Sequence, residues 1–496
     1  MKFNLLKLLL ILSILMLAFG CAPKAVKRQT ISPVEKLAHQ IEMQINEPDF
    51  ESAIIGIAVQ SLKTGEILFQ HNANKVLMPA SNEKIPTSAA ALLKFGPNHT
   101  FKTKLYATGE IENGVLNGDL IVVAGGDPTI GYHDCEALDT CFVFQSWINA
   151  LKEYGIKKIN GDLIGVDDVF DDELIGYGWT YDDLSYSYSA QINGLIFNQN
   201  WSEVRFGMDS SGVLSQSVHP DLNYIHLFPN IEVADEESQK TRIKFQRFDY
   251  TNDVFFNGTM EPGDTYSRKI SVHNPTLYFL RGFRRELEHF GISVSGESFD
   301  ADELDSLEYY EEDLVHIHDS PPFSKILKTL MKESNNLYAE SLVKLLGYHF
   351  GKEGSFKEGE DVIKSTLRRF GLAEDSYRYE DGSGLCRYNY ISPNHIIKIL
   401  RGMHYHKYGD VFKNSLPIAG VDGTIDYRMK GTVAQGKIFA KTGTISSVRC
   451  LSGYALSQDD EVLAFSIMVN NFLCSVHVVM DMQDRICMLL SSFSRN

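Results

Sequence analysis

The feature that most constrains this chain is a separation. Ser81-Asn82-Glu83-Lys84 and Ser334-Asn335-Asn336, two stretches suited to share one polar site, are divided by residues 85–333. No structureless loop of that length occurs in a compact protein, so the interval has to fold as one or more inserted domains. The two ends of the chain then belong to a single domain.

The first stretch follows Pro79-Ala80 and leads into an Ala-rich apolar run. If a helix begins near Ser81, Lys84 lies three residues on and its amine sits beside the hydroxyl on one face. A hydroxyl is a weak nucleophile, and lysine activates it only when neutral, which requires lowering its pKa by roughly 3 units, or about 4 kcal/mol. Burial and a second nearby cation would do that, so another lysine is expected close to Lys84. Pro86 disagrees with a helix that starts at Ser81, because it lacks an N–H and its ring crowds the preceding turn.

Lys441-Thr442-Gly443-Thr444, at the end of an apolar strand pattern, supplies that lysine. Each short pattern is weak alone: Ser341-x-x-Lys344 and Ser392-x-Asn394 repeat the first two spacings in ordinary helical settings. All three in this order point to one nucleophilic site. In it Ser81 attacks an acyl carbon, Lys84 takes its proton, and Ser334 passes a proton to the leaving amine. Asn336 and Lys441 hold the polar network, and Lys441 with Thr442 and Thr444 suits a substrate carboxylate. The N–H groups of Ser81 and Thr444 are the expected oxyanion donors, worth roughly 3–4 kcal/mol each.

The remainder of the chain narrows the setting. With 496 residues and 44% apolar composition it can bury a large core. A net charge of −17 disfavours a nucleic-acid partner. The acidic run Asp300–Asp313 reads as a solvated connector. Lys2, Lys7 and a leucine-rich run to Leu17 read as an export signal over 1–20. Leu17-Ala18-Phe19-Gly20-Cys21 resembles a bacterial lipobox, which makes Cys21 the lipid attachment site and 21–32 a tether. Export permits disulfides, and Cys135 and Cys141 can close a small loop. The pairing of Cys386, Cys450, Cys474 and Cys487 stays open.

The pattern predicts a capped helix from Ser32-Pro33-Val34-Glu35, strands over 54–60 and 66–70, and the Ser81 helix. Strands follow over 102–108 and 116–124, then a helix over 142–154. Residues 194–258 show short strands and no helix signal; a helix returns over 274–290. Helices then dominate over 323–332, 338–350, 356–370 and 394–405, before strands over 436–442, 450–457 and 461–470 and a helix over 475–491.

Longer stretches carry a resemblance. Pro79-Ala-Ser-Asn-Glu-Lys84, Gly125-Gly-Asp-Pro128, Lys332-Glu-Ser-Asn-Asn-Leu-Tyr-Ala-Glu340, Asp381-Gly-Ser-Gly-Leu385, Ala419-Gly-Val-Asp-Gly-Thr424 and Ala440-Lys-Thr-Gly-Thr444 resemble the low-molecular-mass class C penicillin-binding proteins, the D-alanyl-D-alanine carboxypeptidase/endopeptidases of peptidase family S13. Nearly the whole mature chain is covered, with Cys386 where the family usually has a serine. The resemblance implies an α/β fold, a penicillin-binding-protein/β-lactamase-like transpeptidase domain over 33–96 and 314–496. It also implies a strand-rich inserted domain over 97–184 and 264–313, and a nested β-rich domain over 185–263. The implied activity is cleavage of the terminal D-Ala-D-Ala bond of peptidoglycan stem peptides and of D-Ala to diaminopimelate cross-links, with β-lactams as inhibitors and no cofactor. By the same analogy Asp182 meets the ammonium of a diaminopimelate side chain and Arg387 its carboxylate, with Trp179 and Ser383 lining the pocket and Gly443 in the substrate-binding strand. The implied location is the periplasm or cell envelope, with the lipid in the outer membrane if the cell is Gram-negative.

Other readings fit less well. A serine β-lactamase shares the three motifs but has no place for residues 85–333. A catalytically silent peptidoglycan-binding lipoprotein would tolerate loss of Ser81, Lys84 or Lys441, and all are present. The Gly-x-Ser-x-Gly elbow of α/β-hydrolases is missing at Ser383. His316-x-His318 and His404-x-His406 lack a third ligand signal, so no metal is expected.

Overall fold

The computed structural model describes residues 31–131, 141–234 and 240–496. The export segment, Cys21 and Cys135 lie outside the described residues, and with them the lipid attachment and the Cys135 loop. Cys386, Cys450, Cys474 and Cys487 are free thiols, all but Cys474 buried. Among the described residues no helix is long and apolar enough to cross a membrane.

Both chain ends build one antiparallel sheet, in the order Ile438–Ile445, Val448–Leu456, Val462–Asn470, Ile54–Ser61, Ile67–His71. Side chains alternate across a strand. Ile55, Ile57 and Val59 therefore face one core, together with Leu463, Phe465 and Ile467, under helices Pro33–Ile45 and Val476–Ser492. Ala58, Ala464 and Met468 face the opposite core, filled by helices Lys84–Phe95, Phe323–Glu333, Asn336–Phe350, Phe356–Leu367 and Pro393–His404. The first helix starts as expected, with Ser32 and Glu35 closing a capping box.

The insertion leaves and returns at one place. Lys102–Ala107 pairs antiparallel with Leu314–Asp319, and below them Ser324 N donates to Pro97 O at 2.9 Å and Phe323 N to His99 O at 2.8 Å. Strand Leu314–Asp319 was expected to open the returning half of the first domain. It is instead an edge of the inserted sheet, whose order is Ser298–Asp300, Leu163–Val166, Leu120–Val123, Lys102–Ala107, Leu314–Asp319, because pairing the outgoing and incoming strands satisfies both backbones. Helices Phe142–Glu153 and Pro275–His289 share a core with that sheet. The acidic run keeps most of its carboxylates in solvent, as expected, but the apolar residues between them are tied down. Leu304, Leu307 and Tyr309 pack on Tyr106, Ile121 and Ile164, and burial with the Asp167 charge pushes the Asp300 carboxyl up to about 7.

Within residues 201–271 two three-stranded sheets lie face to face. Leu214–His219, Trp201–Met208 and Thr265–Ser271 form one; His226–Val233, Asp253–Met260 and Arg242–Arg247 form the other. Val204, Phe206 and Met208 meet Val254, Phe256 and Met260 between them.

Candidate active site

Ser81 does not begin an α-helix. It sits on a 3₁₀ turn, Ala80–Glu83, and the α-helix starts at Lys84. Pro86 therefore falls in the first α-helical turn, where its missing N–H would have had no intrahelical partner. Ala80 holds φ at +47°, a strained value for a residue with a Cβ, directly before Ser81. The turn still sets Lys84 Nζ 3.0 Å from Ser81 Oγ.

Two further acceptors complete the Lys84 shell: Asn336 Oδ1 at 2.6 Å and the Ser383 carbonyl at 2.7 Å. Asn336 Nδ2 donates to the Tyr188 carbonyl at 2.7 Å, which fixes Oδ1 toward the lysine. Burial pulls the Lys84 amine down to about 7, while the Glu340 and Asp381 charges oppose the drop. A neutral amine has two hydrogens and a lone pair. Asn336 Oδ1 and Ser383 O can only accept, so the hydrogens go to them and the lone pair faces Ser81 Oγ.

Lys441 is fully buried on its strand and donates to Ser334 Oγ at 2.7 Å and to its neighbour's carbonyl, Thr442 O, at 3.0 Å. Its amine is also held down, by burial first and by the Lys84 charge second. The second lysine expected from the sequence is present, but burial rather than its charge lowers the Lys84 amine, and Lys441 is itself held down. Ser334 adopts φ +62° as the residue that ends helix Phe323–Glu333, and Asn335 then caps the helix beginning at Asn336. That tight junction aims Ser334 and Asn336 into the same space.

Ser81, Ser334, Asn336, Arg387 and Thr444 line one cleft of about 370 Å³, with Asp183, Tyr188 and Leu385. Gly443 lets the Lys441 strand lie against the Ser81 turn: a Cβ there would meet Pro79 O at 2.5 Å and Asn82 N at 3.1 Å. Thr442 Oγ1 is 2.9 Å from Thr424 Oγ1, and Thr444 Oγ1 accepts from Arg449. Lys332 Nζ, bonded to Asp422 Oδ1 at 2.6 Å, anchors the Thr424 loop to the end of the Ser334 helix.

Three residues expected in the pocket are placed differently. Asp182 is exposed and belongs to a neighbouring groove with Tyr181, Tyr186 and Arg247; the carboxylate lining the cleft is Asp183, bonded to Thr180 Oγ1 and Tyr188 OH at 2.7 Å each. Asp182 and Asp183 are adjacent on a 3₁₀ turn, and its rotation decides which faces inward. Trp179 donates to Asp381 Oδ2 at 3.0 Å rather than facing the cleft. Ser383 is fully buried and reaches the site through its carbonyl on Lys84.

The sequence reading passed over Glu340 and Asp381. The Glu340 carboxylate accepts from Gly382 N at 2.9 Å and Ser383 N at 2.8 Å, which sets the carbonyl that Lys84 uses. Asp381 accepts from Gly384 N, Cys386 N and Asn389 Nδ2, tying the same loop into a knot. Burial drives the Glu340 carboxyl upward, as it does Glu83 beneath Ser81. The available signal was an acid set in the apolar run Leu337–Val343 of a helix that is buried on nearly every side.

Comparison with known proteins gives this site its family. The D-Ala-D-Ala carboxypeptidase 3 (S13) family matches residues 37–492. A D-alanyl-D-alanine carboxypeptidase of Actinomadura sp. (strain R39) is 30% identical over 97% of this chain and 88% of its own. The D-alanyl-D-alanine carboxypeptidase DacB of Haemophilus influenzae is 28% identical over 85% of this chain and 86% of its own. The crystal structure of penicillin binding protein 4 (dacB) from Haemophilus influenzae superposes with a TM-score of 0.78 at 25% identity, covering 93% of this chain and 99% of that one. The fold is thus the penicillin-binding-protein α/β fold with inserted domains, and the chain belongs to the D-Ala-D-Ala carboxypeptidase 3 (S13) family of serine-type carboxypeptidases.

Proposed function

We propose that Ser81 forms an acyl-enzyme with the penultimate D-Ala of peptidoglycan stem peptides and that water then releases the shortened peptide. The observation that carries this reading is the Lys84 shell, in which two obligate acceptors leave only Ser81 Oγ for the lone pair. Ser81 Oγ–H gives its proton to Lys84 Nζ as Oγ bonds to the scissile carbonyl carbon. The oxyanion meets the N–H groups of Ser81 and Thr444, whose backbones the absence of a Cβ at Gly443 allows to approach. As the C–N bond breaks, Ser334 Oγ–H protonates the leaving amine and is restored by the proton that Lys84 took from Ser81, passed through solvent in the cleft, so Lys84 is neutral again while Lys441 holds the Ser334 hydroxyl in place. Water attacks the ester with Lys84 as base and frees Ser81. A β-lactam carbonyl meets the same nucleophile, and its opened ring stays attached. In Haemophilus influenzae, penicillin binding protein 4 (dacB) has been crystallised with a β-lactam.

The same chemistry extends to D-Ala to diaminopimelate cross-links. Asp183 and Arg387, which both line the cleft, offer the two signs that a zwitterionic side chain requires. The leader over 1–20 and Cys21 support export to the cell envelope and a lipid anchor. Fluorescent penicillin should label the protein at Ser81, and Ser81→Ala should abolish labelling with the fold intact; labelling that persists overturns the mechanism. Defined cross-linked muropeptides, weighed before and after incubation, test the endopeptidase activity. Incorporation of a labelled fatty acid, lost in Cys21→Ser, tests the anchor; equal incorporation in that variant rejects it.

A further inference from the structure

A sheet packed on one side normally turns polar side chains to water. The sheet of His226–Val233, Asp253–Met260 and Arg242–Arg247 follows that rule except at the centre of its outer face. Its inner positions are Val254, Phe256 and Met260, and its outer centre is Phe228 beside Phe255. These two rings stack with centroids 4.7 Å apart and planes 11° apart, and remain 45% and 37% exposed. Phe248 adds a third ring, 5.0 Å from Phe255 and 58% exposed. One register step along, Asn230 Nδ2 donates to Asn257 Oδ1 at 3.1 Å, which leaves Asn230 Oδ1 and Asn257 Nδ2 directed to solvent. On the other side of the rings His226 meets Asp253 at 2.9 Å.

An exposed apolar patch of this kind marks a contact surface. Flat rings bordered by side-chain amides match pyranose sugars, whose C–H faces lie on aromatics while hydroxyl and acetamido groups meet amides. A lipid surface fits worse, because the face carries both signs, Glu232 and Asp253 against Arg242 and Lys244, and the chain as a whole has a net charge of −17.

The patch is joined to the cleft. Gln246, opposite Phe255 in register, donates to Tyr181 OH at 3.0 Å. Tyr181 opens the turn that ends at Asp183, a residue of the cleft wall. Below, Phe245, Tyr186 and Tyr188 form a run of ring contacts with centroids 4.8 and 5.1 Å apart, and Tyr188 also lines the cleft.

We propose that this outer face seats the glycan strand, a polymer of N-acetylated amino sugars, whose attached stem peptide then reaches the Ser81 cleft. The idea rests on the reading of peptidoglycan as substrate. Holding the strand raises the local concentration of its peptides at the cleft without any new contact to the scissile bond.

The test uses the full chain and glycan strands stripped of stem peptides by an amidase, so that the cleft contributes nothing to binding. Wild-type protein should co-sediment with these strands, and Phe228→Ala/Phe255→Ala should bind about tenfold more weakly. The same variant should keep the wild-type rate of penicillin acylation and of cleavage of a free pentapeptide, which checks its fold. Wild-type protein that ignores peptide-free glycan, or a variant that binds it equally, overturns the proposal. So does a sedimentation shift showing that the rings join two copies of this chain. Failure of the DD-peptidase reading would appear separately, as absent acylation with glycan binding intact.

Discussion

Asn336→Asp tests the lone-pair argument most directly. The substitution is close to isosteric and puts a carboxylate oxygen where Asn336 Oδ1 now stands, 2.6 Å from Lys84 Nζ. With the amine at about 7, roughly half of the molecules hold it neutral at pH 7. An adjacent opposite charge raises such a pKa by roughly 1–3 units, so the neutral fraction at pH 7 drops to between ~0.1 and ~0.001. Acylation by a β-lactam should therefore slow about 5- to 500-fold at pH 7. The sign is fixed: a base whose pKa is raised works only above the new value, so the rate should recover toward pH 9–10. The other charged groups near the amine, Glu340, Asp381 and Lys441, are untouched and appear in both profiles. The lost Asn336 donation to the Tyr188 carbonyl costs about 1 kcal/mol of stability and produces no such shift. The assay is the acylation rate against pH, measured for both proteins. A uniform loss with an unmoved inflection would refute the claim that Lys84 is the base steered by Asn336.

Two other substitutions probe the neighbouring walls. Gly443→Ala sets a methyl 2.5 Å from Pro79 O, a backbone atom that cannot swing aside. It should cost about 1–3 kcal/mol in thermal unfolding and sharply reduce acylation, because strand and Ser81 turn separate; wild-type acylation would show that the close approach is not needed. Asp183→Ala should reduce cleavage of peptides with a free diaminopimelate ammonium more than of peptides lacking it, while Asp182→Ala should leave that ratio unchanged. The reverse result would return the role to Asp182.

The parts of this protein that were legible in the sequence share a physical basis. Ser81, Lys84, Ser334, Asn336 and Lys441 announce themselves because hydroxyls and amines among Ala, Leu and Ile are expensive without partners. The strands expected over 436–442 and 450–457 form at Ile438–Ile445 and Val448–Leu456, buried along most of their length, as their apolar runs require. What the sequence does not reveal concerns local rotation and distant pairing. Which of Asp182 and Asp183 turns inward depends on one 3₁₀ turn, and no periodicity encodes that. The boundary at 314 failed because strand Leu314–Asp319 gains its register from Lys102–Ala107, a partner more than two hundred positions away. Glu340 was overlooked for another reason. A buried acid gains its purpose from Gly382 and Ser383, backbone donors that sequence spacing cannot bring together.

That last pairing also explains how a site can be divided by so long an insertion. Closing a flexible loop costs entropy that grows with its length, but the outgoing and returning chains are zipped together between Pro97–Phe101 and Ser320–Ser324, so the catalytic halves behave as if directly connected. The insertion then reaches back. Gln199 Oε1 accepts from Asn335 Nδ2 at 2.7 Å, Tyr188 O accepts from Asn336 Nδ2, and Asp183 with Tyr188 forms one wall of the cleft. Asn336 in turn fixes the orientation of the Lys84 amine, so the proton chemistry of the outer domain depends on residues contributed by the inserted one. The inserted residues consequently supply part of the cleft lining and the acceptor that orients the Asn336 amide. Any motion of them against the sheet would be felt first at the Asn336 amide, which bonds the Tyr188 carbonyl on one side and the Lys84 amine on the other.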